Sequence, residues 1–190
     1  MADMTWEEVD IADETVTEED AHEIESGGKI PIGLYLCEIW ESKPKELKLK
    51  KLSVFGVELT HKVSKVLEIN NRPPSDEEKK VLVGKKITNE IPFPYDGEED
   101  WSIRRRKSIA LKIGIIHPGQ AINKSMWQKD ILGRFVIVRV VDNSYRRKDK
   151  QTGQETGPTI NATKIGFFDG YESAGDKNKV VDKAEGWEDI

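Results

Sequence analysis

Apolar and polar residues alternate along several stretches of the chain, with the period of two that is typical of half-buried β-strands. The alternation predicts a first strand over residues 30–41, a second over 52–66 and a third, shorter one over 85–94. In the first strand the expected inward residues are Tyr35, Cys37 and Ile39, and the expected outward residues are Leu36, Glu38 and Trp40. In the second, Phe55, Val57, Leu59 and Val63 share the apolar side.

A helical period replaces the alternation after residue 100. Trp101, Ile109 and Ile113 lie near one stripe of a helix predicted over residues 101–113, and Gly114 can end it. The middle of this helix, residues 104–107, is basic and is either a solvated face or a further nucleic-acid contact. A shorter helical turn is predicted over residues 125–132, with a Ser125/Gln128 capping box.

A fourth strand follows over residues 135–141, which are dense in β-branched side chains. We assign Val136, Val138 and Val140 to its inward face, which leaves Arg139 outward. An extended pattern resumes at Ile160 and predicts a fifth strand. Residues 68–80 and 143–158 contain the turn-forming pairs Pro-Pro and Gly-Pro and are interpreted as loops, and lysine-rich residues 42–51 as a loop or a strand extension.

The predicted order is therefore three strands, a helix and two strands. This is the order of an OB-fold, a small Greek-key barrel whose sheet face and whose first and fourth inter-strand loops bind oligonucleotides. In that arrangement residues 42–51 and 143–158 are the two binding loops, and both are basic. The sequence predicts a mainly β protein: a five-stranded OB-fold barrel with a helix between strands 3 and 4.

Charge is segregated along the chain. Residues 1–27 carry a net charge of −11, residues 28–170 carry +9 and residues 171–190 carry −3. Such a basic body between acidic ends points to a polyanionic partner. We predict a flexible acidic N-terminal arm over residues 1–28, a nucleic-acid-binding domain over 29–171 and an acidic C-terminal tail over 172–190.

Catalytic and cofactor motifs are missing from the sequence. It contains no Walker loop, GxGxxG or HExxH pattern, and its three histidines lack the spacing of metal ligands. Glu46-x-Lys48 is similar to a nuclease pair, but no aspartate precedes it in a matching strand. The single cysteine, Cys37, excludes an intramolecular disulfide. We expect no enzyme activity, no metal and no cofactor. No apolar run approaches the roughly 18 residues of a membrane span, so we expect no membrane partner.

Candidate nucleic-acid contacts combine aromatic and basic side chains. Trp40 and Tyr145 can stack on bases, which contributes about 1–3 kcal/mol per base with little dependence on sequence, and basic side chains can neutralise phosphates. The alternatives are a minor core for the aromatic residues and a solvated surface for the charges. The candidate set is Trp40, Lys43, Lys45, Lys48, Lys50, Lys51, Arg139, Tyr145, Arg146, Arg147, Lys148 and Lys150.

Residues 30–171 resemble the OB-fold single-stranded DNA-binding proteins of bacteriophages. The shared features are a Pro-x-Gly-x-Tyr start to the first strand at Pro31, a basic helix closing on Gly114, a Leu-Gly-Arg-Phe step ending at Phe135, and Asn161 in the last strand. The long acidic arm and the Pro-Pro segment depart from that pattern. The resemblance implies a non-enzymatic protein that coats single-stranded DNA in phage replication or recombination, in the cytoplasm of the host.

The chain ends in an acidic segment with a hydrophobic tip, similar in style to tails that recruit replication and recombination proteins. It lacks their terminal phenylalanine. The resemblance implies that Trp187, Glu188, Asp189 and Ile190 bind such partners, and it leaves a homo-oligomer open. A second hypothesis is an interaction or regulatory protein whose acidic arms mimic DNA on an OB scaffold.

Overall fold

Two long strands and the hairpin that they form dominate the fold. In a computed structural model that describes residues 30–49, 52–148, 154–160 and 162–175, β1 (Gly33–Leu49) pairs antiparallel with β2 (Leu52–Ile69). The pairing runs from Gly33 opposite Ile69 to Leu49 opposite Leu52. Three register shifts interrupt it, and such irregularities bend a strand and increase its twist.

The remaining elements follow in chain order. They are α1 (Asp76–Leu82), β3 (Lys86–Pro92), α2 (Asp100–Ile113), a π-helix (Met126–Asp130), β4 (Phe135–Asp142), β5 (Tyr145–Lys148), β6 (Glu155–Ile160), β7 (Thr163–Ile165) and β8 (Tyr171–Ser173). The protein is mainly β, as the sequence predicts.

The main sheet is antiparallel and has six strands. Its order is β3-β2-β1-β4-β7, and β8 also pairs with β4, on the same edge as β7. The path is open, because no ladder joins β3 to β7 or β8 among the described residues. β5 and β6 form a separate two-stranded sheet, which we call the β5–β6 hairpin.

The core lies between the inward face of the main sheet and α2. Tyr35, Cys37 and Ile39 are fully buried, as their alternation predicts. The inward assignment of Val136, Val138 and Val140 is confirmed too, since each is at most 1% exposed. Ile109 and Ile113 cover these residues from α2, whose C-terminus is closed by Gly114 in the left-handed conformation.

Two loops expected from the sequence are wrong in part, and one open alternative is decided. Residues 42–49 continue β1 as the strand extension rather than the loop, because Leu47 and Leu49 alternate with polar residues and pair across to β2. Residues 76–80 belong to α1, whose N-cap Ser75 forms a capping box with Glu78. Residues 145–148 and 155–158, within the expected loop 143–158, form the strands of the β5–β6 hairpin.

Other element assignments need correction as well. The expected fifth strand is not continuous: Ile160 ends β6, and β7 and β8 then flank a turn through Phe167 and Phe168. Asn161 lies outside the described residues. Ser125 makes no side-chain cap; instead the amide of Met126 donates to Asn123 Oδ1 over 3.0 Å. β8 ends at Ser173, so the expected boundary between domain and tail at residue 171 falls inside a strand.

Four side chains also face differently from their predicted direction. Phe55 is 76% exposed, because it lies on the opposite face of β2 from its buried neighbour Val54, which pairs with buried Leu47. Leu36 is buried where β4 Ile137 pairs beside it. Trp101 is half-exposed beside Phe167, and Arg106 is buried within the basic part of α2.

Candidate nucleic-acid interface

Two hairpins project from opposite ends of β1. The ladder to β3 stops at Gly56, so residues 46–49 and 52–55 extend beyond it as a two-stranded projection, which we call the β1–β2 tip. β1 and β4 are antiparallel, with Gly33 opposite Val140, so the end of β4 and the β5–β6 hairpin after it lie at the start of β1. The strand between the two ends is about 50 Å long at about 3.3 Å per residue.

The lysines of β1 are largely engaged by carboxylates. Lys43 Nζ lies 2.9 Å from Glu41 Oε1. Lys45 Nζ bridges Glu58 on β2 and Glu90 on β3, and these bonds raise the pKa of Lys45 to about 12. Lys48 is exposed opposite Ser53. Lys50 and Lys51 lie outside the described residues. Of the predicted β1 lysines that the structure describes, Lys48 is therefore the best placed to meet a phosphate.

Trp40 lies between the two hairpins on the outward side of β1. A register shift between Ile39 and Glu41 places it in a bulge, a feature that re-aims a side chain. Its ring is 49% exposed, and Lys62 Nζ lies 3.9 Å from the ring centroid. An exposed indole beside an ammonium group can stack on a base while the cation faces the adjacent phosphate.

The sheet surface around Trp40 is of mixed charge. Lys62 pairs opposite Glu38 on one side and opposite Lys86 on the other. Glu58 lies opposite Glu90 on the same ladder, four residues from Lys62 along β2. The outward face is therefore not a uniformly basic groove, and the positive potential that the sequence predicts must come from the hairpins at its ends.

Arg139 faces outward, as predicted, but it already has anionic partners. Its Nη2 lies 3.0 Å from Glu172 Oε1 on β8, and its Nε lies 3.7 Å from Asp169 Oδ2. A phosphate would have to replace both carboxylates. Arg139 is thus a weaker phosphate-binding candidate than its position on the strand indicates.

The β5–β6 hairpin presents the predicted aromatic and basic residues of the second binding segment. Tyr145 is 51% exposed, and Arg146 is exposed and donates from Nε to Thr159 Oγ1 over 3.2 Å. The backbones of Arg147 and Lys148 continue β5, opposite Thr156 and Glu155. The side chains of these two residues, and all of Lys150, lie outside the described part of the chain.

A cluster of exposed aromatic rings, which sequence reasoning missed, lies where α2 begins. Phe167 contacts Trp101 at 5.2 Å between centroids and Phe168 at 4.9 Å, and the Arg105 guanidinium lies 4.3 Å over the Phe167 ring. Phe168 is 74% exposed. The signal in the sequence is an aromatic pair between Gly166 and Gly170. The cluster belongs to α2 and the β7–β8 turn, away from the β1 surface that carries Trp40.

A chain of polar side chains crosses the interior beside this cluster. Tyr171 Oη lies 3.1 Å from His61 Nε2 and accepts from Asn89 Nδ2 over 2.8 Å. Burial lowers the pKa of His61 to about 4 and raises the pKa of Tyr171. Both groups are neutral near pH 7, and their bonds to each other satisfy them, so they serve the fold rather than proton transfer.

Neither a metal site nor a membrane span is found in the described residues. No group of His, Cys, Asp and Glu side chains there could hold a metal ion. No helix there is long and apolar enough to cross a membrane. The acidic arm and the tail with Trp187, Glu188, Asp189 and Ile190 lie outside these residues, so their predicted roles stay predictions.

Comparison of the chain with models of known protein families finds no match, and comparison with curated proteins finds none either. The geometry of the two hairpins and of the surface that joins them therefore provides the evidence for a function.

Proposed function

We propose that the protein binds single-stranded DNA without sequence specificity and acts in phage replication or recombination, in the host cytoplasm. The observation that carries the proposal is the position of Trp40. This exposed ring lies on the strand that connects the β1–β2 tip with the β5–β6 hairpin, and both ends carry basic residues. A single strand laid along β1 would meet cations at both ends and a stacking surface between them.

The proposal includes an OB-type barrel. Supporting it are the antiparallel path β3-β2-β1-β4-β7, the position of α2 between β3 and β4 in the chain, and the approach of β3 to β7 across the open side of the sheet. In a barrel of this kind the β1–β2 tip and the β5–β6 hairpin correspond to the two loops that hold an oligonucleotide.

The mixed charge of the sheet face limits how the protein binds. The two opposite charges of an ion pair such as Lys45 with Glu58 cancel each other within the face, so the hairpins neutralise most of the phosphates. We expect few phosphates to be neutralised and a moderate salt dependence. The logarithm of the affinity should fall with the logarithm of the salt concentration by about 0.7 per phosphate neutralised on a single strand.

Binding can be tested by fluorescence anisotropy with labelled oligothymidylate, a duplex of mixed sequence and an RNA of the same length, over a range of salt concentrations. The expected result is tightest binding to a single strand, with similar affinities for different base compositions. A preference for the duplex, or no binding to any probe at low salt, would refute the proposal.

Trp40 can be tested separately from the hairpins. Trp40→Ala should weaken oligothymidylate binding by about tenfold, which corresponds to a stacking contribution within about 1–3 kcal/mol. Phe168→Ala is the control, because it removes an even more exposed ring from the surface beside α2. Equal effects of the two substitutions would show that the strand does not lie along β1.

A further inference from the structure

Ion pairs neutralise the lysines at only one end of the outward sheet face. Lys43 and Lys45 are held there by carboxylates of β1, β2 and β3. Lys62, which contacts Trp40, and Lys86, opposite it on β3, lie further along the same face. Among the described residues, no carboxylate lies within ion-pair distance of the ammonium groups of these two lysines. Two cations without an anionic partner therefore lie at the Trp40 end of the face.

Lys62 and Lys86 form a like-charge pair across two strands. They are directly opposite each other on β2 and β3, and the Val63 amide donates to the Lys85 carbonyl over 2.9 Å. That bond identifies a non-hydrogen-bonded position of the ladder, where facing Cβ atoms are about 4.5–5.5 Å apart. Like charges at such a position are destabilising. An anion between the two ammonium groups would convert this repulsion into attraction.

The neighbours of Lys62 on β1 do not neutralise it. Glu38 lies opposite Lys62 in the ladder, but the ammonium group turns to the Trp40 ring, 3.9 Å from its centroid. A cation in this position covers one face of the indole. Trp40 is still 49% exposed, which leaves the other face of the ring for a base. The ring can therefore stack on one base while Lys62 keeps its charge available for an anion.

The flank of β1 towards β4 is different in character. Phe135 and Ile137 are the outward residues of β4 that pair with β1 nearest to Trp40, and both are uncharged. Arg139 comes next on this face, and the carboxylates of β8 and of the turn before it already engage its guanidinium group. Of the described cations on these strands, those near Trp40 that lack an anionic partner thus belong to β2 and β3.

We propose that Lys62 and Lys86 bind the phosphate adjacent to the base that stacks on Trp40. The sugar–phosphate backbone of the bound strand then runs over β2 and β3, and its bases turn towards β1. Neighbouring strands are about 4.8 Å apart, so these three side chains are attached to backbones within about 10 Å of one another. The inference rests on the function proposed above and adds to it the side of β1 on which the backbone of the strand lies.

The phosphate site can be tested with a single nucleotide. Thymidine 3′,5′-bisphosphate carries a phosphate on each side of one base, and thymidine is the matched probe without phosphate. In NMR titrations of the full chain, the bisphosphate should shift the Trp40 indole N–H signal and the amides of Lys62 and Lys86, but not those of Arg139 and Glu172. Thymidine should shift all of these signals far less. Shifts at Arg139 in place of Lys86, or no phosphate-dependent shift at all, would overturn the proposal.

Lys86 separates phosphate binding from support of the ring, because Lys62 is the lysine that lies over Trp40. Lys86→Gln should weaken oligothymidylate binding about threefold at low salt, within the range of an exposed ion pair, and Lys86→Arg should keep the original affinity. Lys62→Gln combined with Lys86→Gln should lower the log-log salt slope by about 0.7, the value for one phosphate. Lys80→Gln, which removes an exposed lysine from α1, is the control and should change neither quantity.

These measurements separate the phosphate site from the proposed function. Oligothymidylate binding that is unchanged in Lys86→Gln, or that Lys80→Gln weakens equally, would overturn the phosphate site and leave the proposed function in place. Phosphate-dependent shifts at Lys62 and Lys86 in a protein that binds no oligothymidylate would retain the site as one for a nucleotide and refute the proposed function.

Discussion

Arg106 and Glu98 form a buried ion pair that ties the turn before α2 to the helix. Arg106 Nη1 and Nη2 lie 2.6 and 2.8 Å from the two carboxylate oxygens, and Nη1 also donates to the Pro92 carbonyl over 2.9 Å. The side chains are 7% and 5% exposed. The pair holds the pKa of Glu98 below its usual value. Arg106 is therefore a structural residue, whereas Arg104 and Lys107 on the same helix are exposed.

Removing Arg106 would leave the Glu98 carboxylate buried without a cation. Arg106→Ala should lower the free energy of unfolding by about 3–5 kcal/mol, the usual cost of breaking a buried pair by removing one partner. Arg104→Ala, an exposed arginine two residues earlier, should change it by less than about 0.5 kcal/mol. Urea denaturation measures both. Similar values for the two variants would mean that the pair is solvated.

His61 makes stability depend on pH. Its Nδ1–H donates to the Ile87 carbonyl and its Nε2 accepts from the Tyr171 hydroxyl, so the buried ring is held neutral. Burial lowers its pKa from 6.5 to about 4 in the folded protein. Between these two values the unfolded chain binds the proton and the folded chain does not. The stabilisation is complete above about pH 6.5 and is lost as the pH falls towards 4, by about 3 kcal/mol in total.

This pH dependence can be measured by urea denaturation at several pH values. The free energy of unfolding should fall steadily between about pH 6.5 and 4.5, before most carboxylates begin to titrate. His61→Gln removes the titrating ring and should flatten the curve in this window, although it also lowers stability. The same change at exposed His117 should keep the slope. A slope that survives in His61→Gln would assign it to another group.

At the scale of elements, the sequence predicts those parts whose partners lie nearby in the chain. Alternation is sufficient to predict β4 and the buried half of β1. A terminal glycine is sufficient to predict where α2 ends. Alternation leaves residues 42–49 open between a loop and a strand extension, because the carboxylates that pair with Lys45 in the strand belong to Glu58 and Glu90 on other strands. The candidate site follows the same division. Trp40 is exposed as its face predicts, whereas the engagement of Arg139 depends on Glu172 and Asp169, distant in sequence.

The β5–β6 hairpin should contribute to the affinity for oligothymidylate through electrostatic contacts with one end of the bound strand. Arg146→Ala combined with Lys148→Ala removes two cations and should reduce the log-log salt slope for oligothymidylate by about 1.4, since each phosphate contributes about 0.7. Lys80→Ala with Lys124→Ala, which removes two exposed cations from other surfaces, should leave the slope unchanged. Equal changes in both proteins would indicate attraction by net charge rather than contact at the hairpin.

At the scale of the whole molecule, side chains join the open edges of the main sheet. β3 is one edge and β8 lies on the other, and no described backbone ladder connects them. Asn89 on β3 donates to the Tyr171 hydroxyl on β8, which in turn bonds to His61 on β2. Arg105 Nη2 approaches Asn89 Oδ1 at 3.5 Å and links α2 to this connection. Residues from four separate elements meet here, so no local pattern in the sequence could have predicted the junction.

A junction made of side chains should open more readily than a backbone ladder, and Tyr171→Phe tests this. The substitution keeps the ring but removes the hydroxyl, leaving His61 Nε2 buried without a donor, at a cost of about 1–3 kcal/mol. Hydrogen exchange should then accelerate at the amides of β3 and β8, while the amides shared by β1, β2 and β4 keep most of their protection. Tyr145→Phe, which removes an exposed hydroxyl, is the control and should alter neither group. If β3 and β1 lost protection together, the sheet would open as one unit, and the polar connection would contribute to global stability instead of closing the two edges.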